Sequence, residues 1–359
     1  MKICLIGKNL TNFVLAKNLA NKNLNVDIIF KSNVKTKFTQ RTLAISKENL
    51  NFLLKINNQI KIPLWPVKNI KIYNDKNNSK ELIEFKNKKK ESFFLIKYID
   101  IFKCFEKLCK KNRNIKLKKL NYQSQKENFF SKKNNKLIIN SDANSNFNNK
   151  RIEKNYNSIA YTGILTHERK ENNEAIQIFT KFGPLAFLPL SQTKTSIVFS
   201  ILNDFKIKES QIFDLIKKYN LNYKIKKINK LEKFNLKFFM PRSYLYNNTL
   251  FFGDILHRVH PLAGQGFNMT IRDIKILSSL IDKKIELGLE LDESLFYDFQ
   301  KKTKHLNYIF GTGVDFIHEF FKFDNKTNNL LSNSIFNILG NNKLFKKYTT
   351  LIADKGINI

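Results

Sequence analysis

Apolar positions in the first thirty residues change period twice. Residues 3–6 form a short apolar run. Phe13, Leu15, Ala16, Leu19 and Ala20 then recur at helical spacing, and Leu24, Val26, Ile28 and Ile29 form a second run. The pattern predicts strand, turn, helix, strand, the opening βαβ unit of a dinucleotide-binding domain. Late in the chain the order returns. Residues 249–252 read as a strand, 253–268 (GDILHRVHPLAGQGFN) as a polar, glycine-rich turn, and 269–280 as a helix. Gly264 and Gly266 flank Gln265 just before that helix, where backbone N–H groups can face an anion or a flat polar ring. Between these ends, residues 70–73, 137–139, 158–163, 175–179, 185–190 and 195–202 read as short strands, with a turn at Gly183-Pro184. After a break at Gly288, residues 294–308 and 310–323 predict two amphipathic helices, with His305 and His318 as surface or helix-face residues.

The 253–268 stretch resembles the second flavin-binding motif of the FAD-dependent aromatic hydroxylases, most closely the ubiquinone-biosynthesis hydroxylase family. These are aromatic-ring flavin monooxygenases of the p-hydroxybenzoate hydroxylase fold. The matching residues are Gly253, Asp254, His257, His260, Pro261, Ala263, Gly264, Gln265, Gly266 and Asn268. An ordinary capped helix needs none of Pro261, Gln265 and Gly266 at fixed offsets. The resemblance implies that Asp254 approaches the ribityl and pyrophosphate region of FAD and that residues 261–268 lie along the isoalloxazine. Residues 174–190 (EAIQIFTKFGPLAFLPL) resemble the same family's mid-domain signature, which lies on the substrate-domain sheet facing the flavin. Arg41, in the run QRTLAIS, matches a family arginine that reaches the flavin side. A guanidinium can fork onto a phosphate or flavin oxygen. The plainer reading is a surface arginine at a helix start.

The opening βαβ turn departs from the family's Gly-x-Gly-x-x-Gly. Gly7 remains, while Asn9 and Asn12 take the second and third glycine places. Asparagine tolerates a left-handed backbone, so Asn9 can keep the turn while its side chain crowds the diphosphate. Asn12 is expected to loosen the packing of helix on strand. Phe30-Lys31 stands where an acidic residue holds a ribose hydroxyl in the family, and Asp27 falls too early. Asp142 and Ser145 fit a third family motif that serves FAD and nicotinamide, with Ala143 in place of its glycine; a simple turn is the equal alternative. Two accounts stay open. Either FAD is held weakly, with lysines such as Lys8 and Lys31 replacing lost contacts, or the ADP half of the site is vestigial.

The resemblance implies an α/β fold with a discontinuous Rossmann-like FAD-binding domain (1–68, 94–152 and 243–290). An antiparallel-sheet substrate domain (69–93 and 153–242) and a C-terminal helical segment (291–359) complete it. The implied activity is hydroxylation of the aromatic ring of a polyprenylated phenol in ubiquinone biosynthesis. NADPH or NADH reduces FAD, reduced flavin and O2 form a C4a-hydroperoxide, and the phenol attacks its distal oxygen. No catalytic side chain is singled out. A degenerate relative acting as a scaffold or lipid-binding subunit of a quinone-synthesis complex is the second reading, motivated by the eroded motifs.

Charge adds a third reading. The 359 residues carry 64 Lys+Arg against 30 Asp+Glu, a formal net charge of +34. Such a charge attracts nucleic acid or acidic membrane headgroups. The chain is also saturated with Lys, Asn, Ile and Phe and poor in Gly, Ala and Arg, the bias of an AT-rich genome. Lysine runs at 86–90 and 132–136 therefore read as solvated faces. Zinc-finger spacing, RNA-binding aromatic signatures and a helix-turn-helix are missing, so specific nucleic-acid binding is not expected. A hydrophobic content of 42% supports a large core. Cys4, Cys104 and Cys109 lack metal-site spacing and read as reduced thiols. No apolar run reaches the roughly 20 residues that span a bilayer, and the chain runs directly into a strand without a signal peptide. The expected location is cytoplasmic, peripheral at the inner membrane face, alongside other quinone-synthesis proteins.

Overall fold

In the computed structural model, the described residues are 2–31, 40–58, 62–75, 83–86, 93–120, 137–143, 150–246, 248–260, 264 and 266–326. The chain opens with β1 (Lys2–Ile6), α1 (Leu10–Ala20) and β2 (Asn25–Lys31), the expected βαβ unit. Next come β3 (Thr42–Ser46), α2 (Lys47–Ile56), β4 (Trp65–Val67), β5 (Asn69–Asn74) and β6 (Ile83–Lys86). β7 (Phe93–Lys97), α3 (Tyr98–Lys110), β8 (Ile115–Leu120) and β9 (Leu137–Asn140) follow. The middle of the chain holds β10 (Arg151–His167), β11 (Glu174–Thr180), β12 (Gly183–Pro189), β13 (Lys194–Leu202), α4 (Glu209–Lys218), β14 (Ile225–Ile228) and β15 (Glu232–Pro241). The last elements are β16 (Leu245–Tyr246), β17 (Thr249–Phe251), a 3-10 turn at Gly253–Ile255, α5 (Gly266–Glu286) and α6 (Ser294–Lys326).

The strands of the first sheet run in the order β16-β17-β9-β1-β2-β8 and are parallel except for the β16–β17 pair. Parallel strands are covered on both faces, which is why β1 and β2 read as continuous apolar runs rather than alternating ones. Ile3 and Leu5 are fully buried, and Phe13, Val14, Leu15 and Leu19 of α1 pack in the same core. Phe102 of α3 meets Phe13 edge to face, with centroids 5.2 Å apart. α5 turns Ile271, Ile274, Leu277 and Ile281 inward at helical spacing. Burial pushes the thiols of Cys4 and Cys109 up to about 12, which leaves both in the inert thiol form.

The second sheet has the order β14-β10-β13-β12-β11-β5-β6, with β15 also pairing β10. It is antiparallel apart from the parallel β5–β11 pair. β10 is much longer than the strand expected at 158–163, because a register shift between Asn155 and Ile159 lets one strand pair β15 along both of its halves. A third, small sheet has the order β3-β7-β4.

Two local expectations are corrected. The pair of C-terminal helices is one helix of 33 residues. Gly311 does not break it: a Cβ there would stand 2.8 Å from Met240 Sδ, so this glycine lets α6 press close to β15. The reversal placed at Gly183-Pro184 lies one step earlier, since Gly183 pairs with Thr180 and Pro184 with Phe179 inside the sheet. Gly183 has φ +133°, and a Cβ on it would lie 2.1 Å from Ser200 O. Gly183→Ala is expected to lower stability by about 1–3 kcal/mol. Gly313→Ala, on an open helix position, should raise it by up to about 1 kcal/mol. Urea unfolding of the two variants measures both.

Candidate functional site

β1 pairs β2 on one side and β9 on the other, so the chain leaves the sheet in opposite directions there. In open parallel sheets ligands bind at the carboxyl ends of the strands beside such a point. Three strand ends converge on it. Gly7 follows β1 with φ +115°, and its amide donates to Ile29 O at 2.8 Å. Ser141 follows β9, and its amide donates to Ile6 O at 3.0 Å. Gly253 follows β17 with φ +69°; a Cβ there would stand 2.9 Å from Thr11 Cγ2, so glycine lets this turn rest on the first turn of α1.

The two asparagines of the opening turn bond to the chain itself. Asn9 caps α1, its Oδ1 accepting from the Asn12 amide at 3.0 Å. Its Nδ2 donates to Ser141 O and Ser141 Oγ, both at 2.9 Å. Asn12 is fully buried and donates to Ile6 O at 2.9 Å and Gly7 O at 2.8 Å. The expected loosening of α1 is therefore absent, because the Asn12 amide satisfies carbonyls at the end of β1. Lys8 pairs with Glu106 at 2.9 Å and lies over the Phe30 ring. Burial opposes ionisation of Glu106, but Lys8 and Lys110 outweigh it and hold the carboxyl below its ordinary range. Asp27 is buried between Lys2 and Lys118, each 2.8 Å away. Asp142 follows β9, with its amide donating to Asn140 Oδ1 at 2.9 Å, while Ser145 lies outside the described residues.

The opposite wall of the crevice gathers other sequence candidates. Arg41 precedes a strand, not a helix. Its carbonyl accepts from the Tyr98 amide at 2.8 Å, and its guanidinium lies 5.6 Å from the Tyr98 ring centroid. Burial pushes the Tyr98 hydroxyl up, with Arg41 opposing and Asp254 adding to the shift. Arg41, Tyr98, the exposed Asp254 and the head of α1 thus share one corner. Gly264 has φ +63°, and a Cβ on it would lie 3.1 Å from Ala44 Cβ. Asn268 is buried; it donates to Ala44 O at 2.9 Å and accepts from the Ser46 amide at 3.1 Å and Asn49 Nδ2 at 3.0 Å. Its amide behaves like a neighbouring strand and ties the start of α5 to β3. Gly266 opens α5 with free space around its Cα. Pro261 and Gln265 lie outside the described residues.

Behind this wall runs a buried polar network that the sequence did not reveal. His257 Nε2 and Asp273 Oδ2 are 2.9 Å apart, both side chains fully buried. Asn307 of α6 donates to Asp273 Oδ2 at 3.2 Å and to the Tyr244 hydroxyl at 3.1 Å, and Arg272 donates to Asn307. Single polar residues within apolar helices carry no motif, so only the fold assembles Asp273, Asn307 and Tyr244. His318 is buried rather than on the surface; its ring stacks on that of His260 at 4.3 Å, and Tyr156 packs edge-on against both. Phe179, Met269, Phe310, Val314 and Phe321 form an apolar box, with Ile72 and Val259 alongside, where β11, the start of α5 and α6 meet. The rings of Phe179 and Phe321 stack face to face, with centroids 3.4 Å apart.

Among solved structures, the chain superposes on p-nitrophenol 4-monooxygenase PnpA from Pseudomonas putida with a TM-score of 0.79. Identity is 10%, and the match covers 99% of this chain and 98% of that one. PqsL from Pseudomonas aeruginosa, a probable FAD-dependent monooxygenase, gives a TM-score of 0.70 at 10% identity over 94% of this chain and 99% of that one. Klebsiella pneumoniae HpxO, solved with FAD and uric acid, gives 0.70 at 10% identity over 98% and 97%. The fold is therefore that of the FAD-dependent monooxygenases, with its Rossmann-like domain. No family model matches the chain. By sequence it is similar to the mitochondrial ubiquinone biosynthesis monooxygenase COQ6 of Danio rerio, 26% identical over 206 residues, 46% of this chain and 43% of that protein. It is likewise similar to the ubiquinone hydroxylase UbiL of Rhodospirillum rubrum, 25% identical over 143 residues, 38% of this chain and 33% of that protein. The matched part spans less than half the length of either relative. These likenesses agree with the resemblance read from residues 253–268.

Burial lowers the pKa of His260 well below its ordinary value, with His318 adding to the effect, and burial likewise lowers that of His318 against the pull of Glu319. An unfolded histidine titrates near 6.5. Below that pH the unfolded chain binds protons that the folded chain refuses, so these two rings contribute stability above pH 6.5 that is lost on acidification. Urea midpoints at pH 7.5, 6.5 and 5.5 should fall steadily. His260→Phe should flatten that fall by up to about one bound proton; an unchanged slope would show that His260 is not buried in the neutral form.

Proposed function

We propose that the chain is a FAD-dependent monooxygenase that hydroxylates the aromatic ring of a polyprenylated phenol in ubiquinone biosynthesis, with NADPH or NADH as reductant and O2 as co-substrate. The observation that carries this reading is one crevice at the carboxyl ends of β1, β9 and β17. Beside them, Gly264 rests on Ala44 and Asn268 bonds to the same strand, β3, while Arg41, which precedes β3, lies against Tyr98.

FAD fits this crevice unevenly. On the ring side, Gly264 and Gly266 present backbone without side chains in the way, and Asn268 with Asn49 holds that segment at a fixed distance from β3. Gln265 and Pro261 belong to the same loop by resemblance. Arg41 and Asp254 would hold the polar middle of the cofactor, and Gly7 and Gly253 shape the turns beneath it. On the diphosphate side, Asn9 already caps α1. Bound FAD supplies the oxygen-activating chemistry. The chain supplies orientation and dryness: the packed box of Phe179, Met269, Phe310 and Phe321 makes the region beside the start of α5 apolar.

Under this reading, residues 1–68, 94–152 and 243–290 form the cofactor domain, 69–93 and 153–242 the substrate domain, and 291–359 the closing helical segment. The strand membership of the two large sheets supports that division. A lipid-tailed substrate favours a cytoplasmic protein working peripherally at an anionic inner membrane face, alongside other quinone-synthesis proteins. Among the described residues no helix is long and apolar enough to cross a membrane. One stripe of α6 runs from Lys302 and His305 to the exposed Ile309, Phe316 and Phe323, which suits contact with a charged lipid surface. The Asn9 cap favours a second reading, a relative that keeps the fold as a lipid-binding or scaffold subunit without turnover.

Visible spectra on FAD addition, followed by NADPH oxidation with a prenylphenol analogue, separate the two. Flavin bands and substrate-dependent oxidation support the enzyme; colourless protein in excess FAD leaves the scaffold. Asp254→Ala is expected to weaken FAD by about 10- to 100-fold, the loss of one hydrogen bond to a charged group. An unaffected Kd would overturn this site assignment.

A further inference from the structure

We infer that Asn9 competes with the diphosphate of FAD, so that the crevice selects the flavin ring and ribityl end and gains little from the adenosine half. The inference rests on the flavin reading above and concerns which part of the ligand is recognised.

A dinucleotide's diphosphate lies on the N-terminus of the first helix, where backbone N–H groups lack intrahelical partners. Here one of those donors is answered from within the chain, by the side chain of the residue that precedes the helix. The Asn12 amide donates to Asn9 Oδ1 at 3.0 Å. Asn9 Nδ2 reaches the other way to Ser141 O and Oγ at 2.9 Å, bridging the turn after β1 to the end of β9. The nearest cation, Lys8, is paired with Glu106 at 2.9 Å. The strand end that would present a ribose-binding carboxylate carries Phe30, beneath Lys8, and Asp27 is held inside the sheet by Lys2 and Lys118. The cap position, Lys8 and Asp27, three groups that the adenosine diphosphate half would use, are thus each engaged within the protein. The ring side shows the opposite: Gly266 has open space around it, and Asn268 is bonded to β3 rather than turned toward a ligand.

Quenching of flavin fluorescence on the full chain tests this, with FAD and riboflavin as the two probes. Wild type should bind both with Kd values within about threefold of each other. Asn9→Gly should tighten FAD by about tenfold and leave riboflavin unchanged, because glycine at an N-cap costs a helix little while clearing the diphosphate path. Asn9 has φ −145°, so glycine brings no strain there. Asn9→Ser keeps a capping oxygen but is too short to bridge to Ser141. It should tighten FAD to a lesser degree and serves if the glycine variant melts early by circular dichroism. Wild type preferring FAD by tenfold or more, or an Asn9→Gly protein with unchanged or weaker FAD binding, overturns the inference and leaves the flavin reading standing. Failure of every variant to bind either flavin overturns both.

Discussion

The site depends on one amide. Asn268, in the first turn of α5, bonds to Ala44 O, the Ser46 amide and Asn49, which lie more than two hundred positions earlier in the chain. Because the amide is buried, losing either partner would leave an unsatisfied polar group in a dry interior, at about 1–3 kcal/mol. That cost keeps the glycine segment against β3 and fixes where α5 begins. The positions of Met269 in the apolar box and of Asp273 in the buried network follow from that register, one residue and a little over one helical turn further on.

The network explains how the long last helix joins this arrangement. Asn307 of α6 contacts both Asp273 and the Tyr244 hydroxyl. Gly311 lets the same helix approach β15, and Phe321 then reaches Phe179 on β11. One rigid element therefore touches the parallel sheet's covering helix, the second sheet and the box between them. Buried polar contacts of this kind specify a single packing arrangement more than they add stability.

Much of this was legible from patterning. The βαβ opening and the late strand–turn–helix were readable because parallel strands are apolar on both faces and the turns carry glycines with positive φ. Arg41, Asp254 and Gly264 could be named because a spaced motif singles them out. Tyr98, Asp273 and Asn307 could not, since a lone polar residue on a helix has no period and acquires its role only from what the fold sets beside it. The last helix was read as two, 294–308 and 310–323, and is one. Helix-breaking propensity at Gly311 and Gly313 is of the order of 1 kcal/mol each, too little to interrupt a helix whose inner face keeps burying Phe310, Val314 and Phe321. Asn12 likewise looked like a loss of packing, and instead its side-chain amide takes over backbone bonding at the end of β1.

The order of strands in the parallel sheet has a consequence for biogenesis. β1 is made well before its neighbour β9, which begins at residue 137, and β9's own neighbour β17 begins only at residue 249. At synthesis rates of about 5–20 residues per second, one edge of β1 waits many seconds for its partner. During that interval an apolar strand edge is open to mispairing, and such non-local pairing is intrinsically slow.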